Sequence, residues 1–218
     1  MAKAKEVQAI SIPKPDIRVM EVPVIGDARL VIHKWSEKAI QMIKDKQAGK
    51  ARPKKENRNP LQEYEQSQYI DAEEGWNGFP VNGFKSSLVG ACRYCEGITM
   101  VMARGVLHVE ADGVDKSGVE LIRLHGDGPH MRQDMVRIAM GTADIRYRAE
   151  FRQWQALVRV KFNANVISEE QLFNLFQLAG LHCGIGEGRP SAPKNTMDWG
   201  YFHPATQEEL EVLNKGVA

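Results

Sequence analysis

Apolar and polar residues follow two different periods along this chain. A period of two, which is typical of strands with one buried face, occurs in residues 16–33, 98–109, 119–124 and 136–163. Helical spacing of apolar residues occurs in residues 34–47, 80–92 and 168–179. A capping pattern at Thr206 and Glu209 adds a short last helix. The chain is therefore predicted to be a mixture of strands and helices.

The clearest local signal is the helix that begins after Ser168. Ser168 and Gln171 form a capping box, in which each side chain accepts a hydrogen bond from the backbone amide of the other residue. Four apolar side chains then share one face: Leu172, Leu175, Phe176 and Ala179. We predict that this helix ends at Gly180, because glycine adopts the left-handed conformation that closes many helices.

A glycine-rich loop follows this helix. Gly184, Gly186 and Gly188 leave backbone amides uncovered by side chains. The loop is either a turn that leads into an edge strand or a site that a phosphate group approaches closely. Nearby cations and aromatic rings favour the second interpretation: Arg189, Lys194, Trp199 and Tyr201. A dinucleotide site is disfavoured, because its glycines follow a strand, whereas these follow a helix.

Residues 136–163 predict a hairpin that runs into a core strand. Apolar residues from Ile145 to Phe151 alternate with polar ones, so that arginines share one face: Arg146, Arg148 and Arg152. Arginine combines a charge with a flat stacking surface, which makes this face a candidate for following a phosphate backbone. The alternative is the ordinary solvated face of an antiparallel ribbon.

The composition is that of a folded globular protein. Of 218 residues, 43% are hydrophobic and 26% are charged, which excludes wholesale disorder. The net charge is only +1, but residues 44–58 are rich in Lys and Arg, whereas residues 63–74 carry acids and no base. Because the local field steers a polyanion, the neutral total does not exclude a nucleic-acid partner.

The basic run at residues 49–59 lacks large apolar side chains, which predicts a mobile loop or linker. A passive loop and a loop that contacts nucleic acid both remain open. The acidic segment that follows is predicted to contain a short helix with Leu61, Tyr64 and Tyr69.

Three cysteines are present. Cys92 and Cys95 have the spacing of half a zinc site or of a redox pair, but no second pair of ligands accompanies them. Cys92 falls on the apolar face of a predicted helix, so we interpret it as a core residue. No metal ion and no cofactor is expected. The chain shows no signal peptide, lipidation motif or long apolar span, which predicts a cytoplasmic protein without a membrane partner.

Three segments, taken in order, resemble the RAMP superfamily, whose members include the backbone subunits of class 1 CRISPR effector complexes. Residues 79–93, FPVNGFKSSLVGACR, are similar to the family's I-P-G-S-S-L-K-G-x-L-R helix, with Lys85 at the lysine and Arg93 near the arginine. Residues 136–163 are similar to the family's hairpin and the strand after it. Residues 168–202 are similar to its last helix and glycine-rich loop. The catalytic aspartate of target-cleaving members has no match, Asp27 being nearest, so the resemblance implies no catalytic residue.

The resemblance implies an α+β fold, namely a ferredoxin-like or RRM-like antiparallel sheet with helices on one face, an inserted basic loop and a β-hairpin thumb. It implies one domain over residues 1–218, with a flexible insertion at 49–75 and an arginine-bearing hairpin at 131–155. The implied function is sequence-independent binding of single-stranded nucleic acid, expected to be guide RNA, by copies that stack with other subunits in a ribonucleoprotein filament. The residues expected to bind are Lys50, Arg52, Lys54, Lys55, Lys85, Arg93, Arg146, Arg148, Arg152, Gly184, Gly186, Gly188 and Arg189.

Two other functions remain open. The chain could also be a phage-encoded relative of the RAMP superfamily with another task. A phage single-strand DNA binding or annealing protein would use the same chemistry but prefer DNA, which the 2′-hydroxyl distinguishes from RNA. An endoribonuclease would use a histidine as general acid or base, the candidates being His33, His125 and His130. None of these histidines has a partner that is evident from sequence.

Overall fold

A five-stranded antiparallel sheet occupies the centre of the protein. The computed structural model describes residues 12–50, 58–137, 143–193 and 197–215. With strands numbered along the chain, the central sheet consists of β1 (Ile17–Gly26), β5 (Leu107–Val109), β8 (His125–Asp127), β11 (Gln153–Asn163) and β12 (Phe202–Pro204). The order is β12-β1-β11-β5, and β8 pairs with the start of β11. The predicted strands at 16–33 and 136–163 therefore supply its long central pair.

Two smaller antiparallel sheets are also present. One has the order β2-β10-β9 and consists of β2 (Leu30–Ile32), β9 (His130–Arg137) and β10 (Ala143–Phe151). The other has the order β3-β4-β7-β6 and consists of β3 (Tyr69–Ile70), β4 (Asn77–Pro80), β6 (Gly113–Val114) and β7 (Glu120–Arg123). The prediction of a hairpin that runs into a core strand is confirmed, since β9 pairs with β10 and β11 joins the central sheet.

The described residues also form helices: α1 (Glu37–Gln47), α2 (Pro60–Gln66), α3 (Val81–Ala91), α4 (Met100–Val106), α5 (Glu169–Leu178) and α6 (Gln207–Lys215). The protein is thus α+β. The capping box of Ser168 and Gln171 is confirmed, with both reciprocal hydrogen bonds formed. Ser36 caps α1, its hydroxyl oxygen accepting from the backbone amide of Ala39 at 3.2 Å. No helix in these residue ranges has the length and apolar character needed to cross a bilayer.

The predicted strand at residues 98–109 is wrong over most of its length. Thr99 accepts a hydrogen bond from the backbone amide of Met102 at 3.2 Å and so caps α4, which leaves only β5 as strand. Apolar residues at 98, 100 and 102 alternate, but the buried residue of α4 is Ala103. A cap hydrogen bond therefore outweighs a short alternating pattern here.

The predicted end of α5 at Gly180 is also wrong. The backbone continues as one π-helical turn, Ala179–Cys183, and Gly184 with φ +62° ends it. Gly180 is required for packing instead, because a Cβ there would overlap the carbonyl oxygen of Phe202 in β12. The extra turn packs on α3, where the Ser87 hydroxyl donates to the carbonyl of Ala179 at 3.1 Å.

One hydrophobic core joins the central sheet to α3 and α5. Its members include Val22, Val158, Phe162, Phe84, Leu88, Leu172 and Phe176. Cys92 is buried in this core, which confirms its interpretation as a core residue. Side chains alternate along a strand, so Lys161, the neighbour of buried Phe162, is exposed on the opposite face of the sheet.

Candidate nucleic-acid interface

The predicted arginine face of β10 exists, and it is largely covered. We call it the arginine face and define it by Arg132 and Asp134 of β9 with Arg146, Arg148 and Glu150 of β10, which alternate across the paired strands. Arg148 and Glu150 are buried, whereas Arg146 is half-buried. The opposite face carries exposed Ile145. Ala149 and Phe151 on that face are buried as well, so both faces of β10 are covered near its end, and the charged face is covered at Arg148 and Glu150.

Acidic side chains form ion pairs with the arginines of the arginine face. Arg132 donates through Nε to Asp134 at 2.8 Å and through Nη1 to Glu150 at 2.8 Å. Arg29, which precedes β2, donates to the same oxygen of Glu150 at 2.7 Å. Burial opposes the ionised form of Glu150, but the hydrogen bonds from Arg29 and Arg132 outweigh it and lower the pKa of this carboxyl. Glu150 is thus ionised and joins three segments.

The glycine-rich loop lies against the arginine face. The amide of Glu187 donates to the carbonyl of Val31 in β2 at 2.9 Å, and β2 pairs with β10. The Arg132 guanidinium lies 4.5 Å from the centre of the Trp199 ring. A Cβ on Gly188 would come 2.7 Å from the same indole, so the glycine leaves room for the Trp199 ring against the loop backbone. Two of the three segments singled out in the sequence therefore meet in space.

The loop amides are used mainly within the protein. Gly184 donates to the carbonyl of Ala179 at 2.8 Å, and Ile185 donates to Gly200 at 2.9 Å. Gly186 has φ +78°, and a Cβ there would come 2.8 Å from the carbonyl oxygen of Val31. The close approach that the glycines permit is therefore an approach of protein backbone. Binding of phosphate by Gly184, Gly186 and Gly188 stays a prediction.

A second group of cations and rings lies where α3 ends and the loop begins. Tyr94 stacks on His182, with ring centres 4.2 Å apart and planes 19° apart, and half of Tyr94 is exposed. Arg93 is exposed beside Tyr94. Burial raises the pKa of the Cys183 thiol, and the charges of Arg93 and Arg189 act against that rise. A Cβ on Gly90 in α3 would come 3.0 Å from the Cys183 sulfur, so the end of α3 lies beside the turn that leads into the loop.

The remaining predicted binding residues are more scattered. Lys85 is half-buried on α3, and Lys50 forms an ion pair with Asp45 at 3.2 Å. Arg152 is exposed and lies 3.6 Å from Glu150. Arg52, Lys54 and Lys55 lie outside the described residues, as does Lys194. Arg189 donates to the carbonyl of Gly186 at 2.9 Å and so stabilises the loop itself.

Comparison with solved structures finds a likeness in fold to a known protein. No family model matches the chain, and no curated protein matches it. The chain is similar to Cmr6 from Pyrococcus furiosus. That likeness has a TM-score of 0.40 and 13% identity, and it covers 87% of this chain and 99% of the other. A likeness of this degree does not establish a function.

The histidines proposed for a nuclease lie in different settings. His130 pairs with Asp127 at 2.6 Å, and His125 is exposed on β8. His33 lies 4.0 Å from Glu187, and burial, together with the charge of Arg148, lowers its pKa. Asp27 pairs with His203 at 2.6 Å. No group of three metal-binding side chains lies together anywhere in the described ranges.

Sequence reasoning missed the partners of the arginines. Arg132, Asp134 and Glu187 were not singled out, although Arg132 and Asp134 alternate one strand before Arg146 and Arg148. That alternation was the available signal. The position of Glu187 had no such signal, because it depends on how the loop folds back onto β2.

Proposed function

We propose that this protein binds single-stranded nucleic acid without sequence preference. The observation that carries the proposal is that the segment after α5 contacts both the arginine face, through Trp199 on Arg132, and the end of α3, through His182 on Tyr94. This region combines exposed or half-exposed guanidinium groups with aromatic rings: Arg93, Arg146, Arg189, Tyr94 and Trp199. Phosphate neutralisation by arginine and stacking of bases on aromatic rings are the two contributions that sequence-independent binding of single strands requires.

We also propose that the domain is ferredoxin-like. Support comes from the chain order β1, α3, β5, β11, α5, β12, which is a β-α-β-β-α-β arrangement, and from the spatial order β12-β1-β11-β5. Under this proposal residues 1–218 form one domain. Residues 49–75 are an insertion, and residues 131–155, with β9 and β10, project from the domain as a thumb.

The partner that we propose is RNA within a larger assembly of stacked copies and other subunits, as the sequence resemblance to RAMP backbone subunits implies. Exposed apolar residues give such an assembly surfaces to bury: Val101 and Leu181 are 73% and 59% exposed. Mixing the protein with RNA strands of increasing length and measuring particle size tests this part. We expect the mass of the complex to rise with strand length, and a fixed one-to-one complex would contradict stacking.

Fluorescence anisotropy with labelled RNA of about 20 nucleotides tests the binding itself, since this length exceeds one site of the usual size. Between about 50 and about 200 mM salt, the logarithm of affinity should fall with a slope of about −0.7 for each phosphate contacted. Arg93→Ala and Arg146→Ala should each weaken binding about three- to tenfold and reduce the slope by about one contact.

Lys161→Ala is the matched control, because Lys161 is an exposed cation on the face of the central sheet that points away from α3 and α5. We expect it to bind RNA as the wild type does. Equal losses in all three variants, or no binding at low salt, would refute the proposal. Competition with a DNA strand of the same sequence separates the RNA-binding protein from a DNA-annealing protein. The same labelled RNA run on a denaturing gel shows whether it has been cleaved.

A further inference from the structure

Arg148 is a buried cation whose hydrogen bonding is incomplete. Its side chain is only 3% exposed. Its Nε is buried and has no hydrogen-bond partner among the described residues, and its Nη1 reaches Asp134 only at 3.4 Å. Burial lowers the pKa of this guanidinium, with Glu187 and Asp134 acting in the opposite direction. A buried donor of this kind is costly unless something binds to it.

The two acids of the arginine face are already engaged by other arginines. Asp134 accepts from the Nε of Arg132 through both oxygens, at 2.8 and 3.0 Å. Glu150 accepts from Arg29 and Arg132. Asp134 and Glu150 therefore accept most of their hydrogen bonds from Arg132 and Arg29, and Nε of Arg148 is left without an acceptor.

Glu187 is the acid that can move. Its carboxylate lies 4.0 Å from Nδ1 of His33, and it exerts the largest favourable charge interaction on Arg148. The side chain is 39% exposed. Its backbone amide is bonded to Val31, so the carboxylate can swing into solvent by side-chain rotation alone while the loop stays in place.

We propose that Arg148, with His33 beside it across the paired strands β10 and β2, is a phosphate-binding site whose approach the Glu187 carboxylate, 4.0 Å from His33, flanks in the free protein. A phosphate group displaces Glu187, and the Nε of Arg148 donates to a phosphate oxygen. The inference rests on the proposed binding of nucleic acid, in which the phosphate belongs to the strand. Glu187 then acts as an internal competitor that weakens binding of every polyanion.

Glu187→Gln tests the competition, because it removes the charge and keeps the shape. We expect it to tighten RNA binding about three- to tenfold, as expected for removal of a charge that competes for a charge-assisted hydrogen bond. Glu169→Gln is the matched control, since Glu169 is an exposed acid whose ion pair is with Arg18 at the far end of β1. Equal tightening in both variants would show a general charge effect and overturn the inference.

Arg148→Lys keeps the charge and removes the Nε–H, so we expect about tenfold weaker binding. Because this variant can also perturb folding, the Nε–H signal of Arg148 in ¹⁵N-labelled wild-type protein provides a second readout, assigned by its loss in the variant. We expect the signal to shift on addition of RNA and on addition of inorganic phosphate.

The outcomes separate this inference from the proposed function. RNA binding that leaves the Arg148 signal unshifted, with unchanged affinity in Glu187→Gln, would overturn the phosphate site and leave RNA binding intact. A shift with inorganic phosphate but no RNA binding would support the site, with free phosphate as its ligand, and refute the proposed function. No shift with either probe would overturn the site.

Discussion

His203 lies between two carboxylates, outside the arginine face. Its Nδ1 lies 2.6 Å from Asp27, in the turn between β1 and β2, and its Nε2 lies 3.1 Å from Glu209 of α6. Both ring nitrogens face carboxylates, so the protonated ring donates two hydrogen bonds. Burial disfavours that charge, but the bonds to Glu209 and Asp27 outweigh burial and raise the pKa of His203. This contact fastens α6 to the central sheet.

The stability supplied by His203 should depend on pH. Because the folded-state pKa is raised, the contribution is fully present below the ordinary histidine pKa of about 6.5 and is lost as pH rises through the folded-state value. Hydrogen bonds from Thr206 and from His203 lower the pKa of Glu209 to about 2, so this partner stays ionised throughout. Thermal unfolding from pH 5.5 to 9 should show a gap between wild type and His203→Ala that narrows as pH rises.

His125→Ala is the control for this comparison, because His125 is exposed on β8. We expect its unfolding temperature to follow that of the wild type at every pH. A gap for His203→Ala that is constant or widens with pH would contradict the assigned contact.

At the scale of the element, the π-helical turn after α5 decides how the loop is presented. It carries His182 onto Tyr94 and buries Cys183 beside α3, where a Cβ on Gly90 would come 3.0 Å from the Cys183 sulfur. Gly180 makes this path possible, because its missing side chain leaves room for the backbone of β12. The loop can then turn at Gly184 toward β2.

Two glycine-to-alanine substitutions in helical segments should have opposite effects. In Gly180→Ala the new Cβ overlaps the carbonyl oxygen of Phe202, and we expect a loss of about 3 kcal/mol in the free energy of unfolding. Gly105 in α4 has no atom within 4 Å of the added Cβ, so Gly105→Ala should stabilise the protein by about 0.5 to 1 kcal/mol. Urea unfolding measures both changes in the free energy of unfolding. Changes of the same sign in the two variants would contradict this packing.

At the scale of the whole molecule, Glu150 ties together parts that are distant in sequence. Its side chain is 6% exposed and binds Arg29 from the β1–β2 turn and Arg132 from β9. Trp154 makes a parallel connection, since its indole nitrogen donates to the carbonyl of Ala28 at 2.8 Å. Through these contacts the turn between β1 and β2 binds both β10 of the smaller sheet and the beginning of β11 in the central sheet.

Glu150→Gln should therefore be strongly destabilising. It leaves Arg132 and Arg29 without their charged acceptor, and we expect a loss of about 2 to 3 kcal/mol, near the low end for a broken buried ion pair because Arg29 is half exposed. Glu169→Gln breaks an exposed pair and should cost less than about 1 kcal/mol. Urea unfolding compares the two, and equal losses would show that Glu150 is no more important than a surface acid.

Much of the fold was predictable because its signals are local. The caps at Ser168 and Thr206 each act within one helical turn, and both are formed as predicted. The α4 helix was missed because its alternating apolar residues resemble a strand. For the candidate site, the sequence identified the arginines and glycines but not their acidic partners, since those contacts join β9, β10, β2 and the loop.

The sequence by itself determined where α5 and α6 begin and which side chains share a face of β10, because caps and periodicity act over a few residues. Only the tertiary structure decided that the charged face of β10 is buried at Arg148 and Glu150. It also decided that the glycines of the loop accommodate Trp199 and the backbone of β2. Periodicity separates two faces of a strand, but burial depends on which distant segments pack against each face.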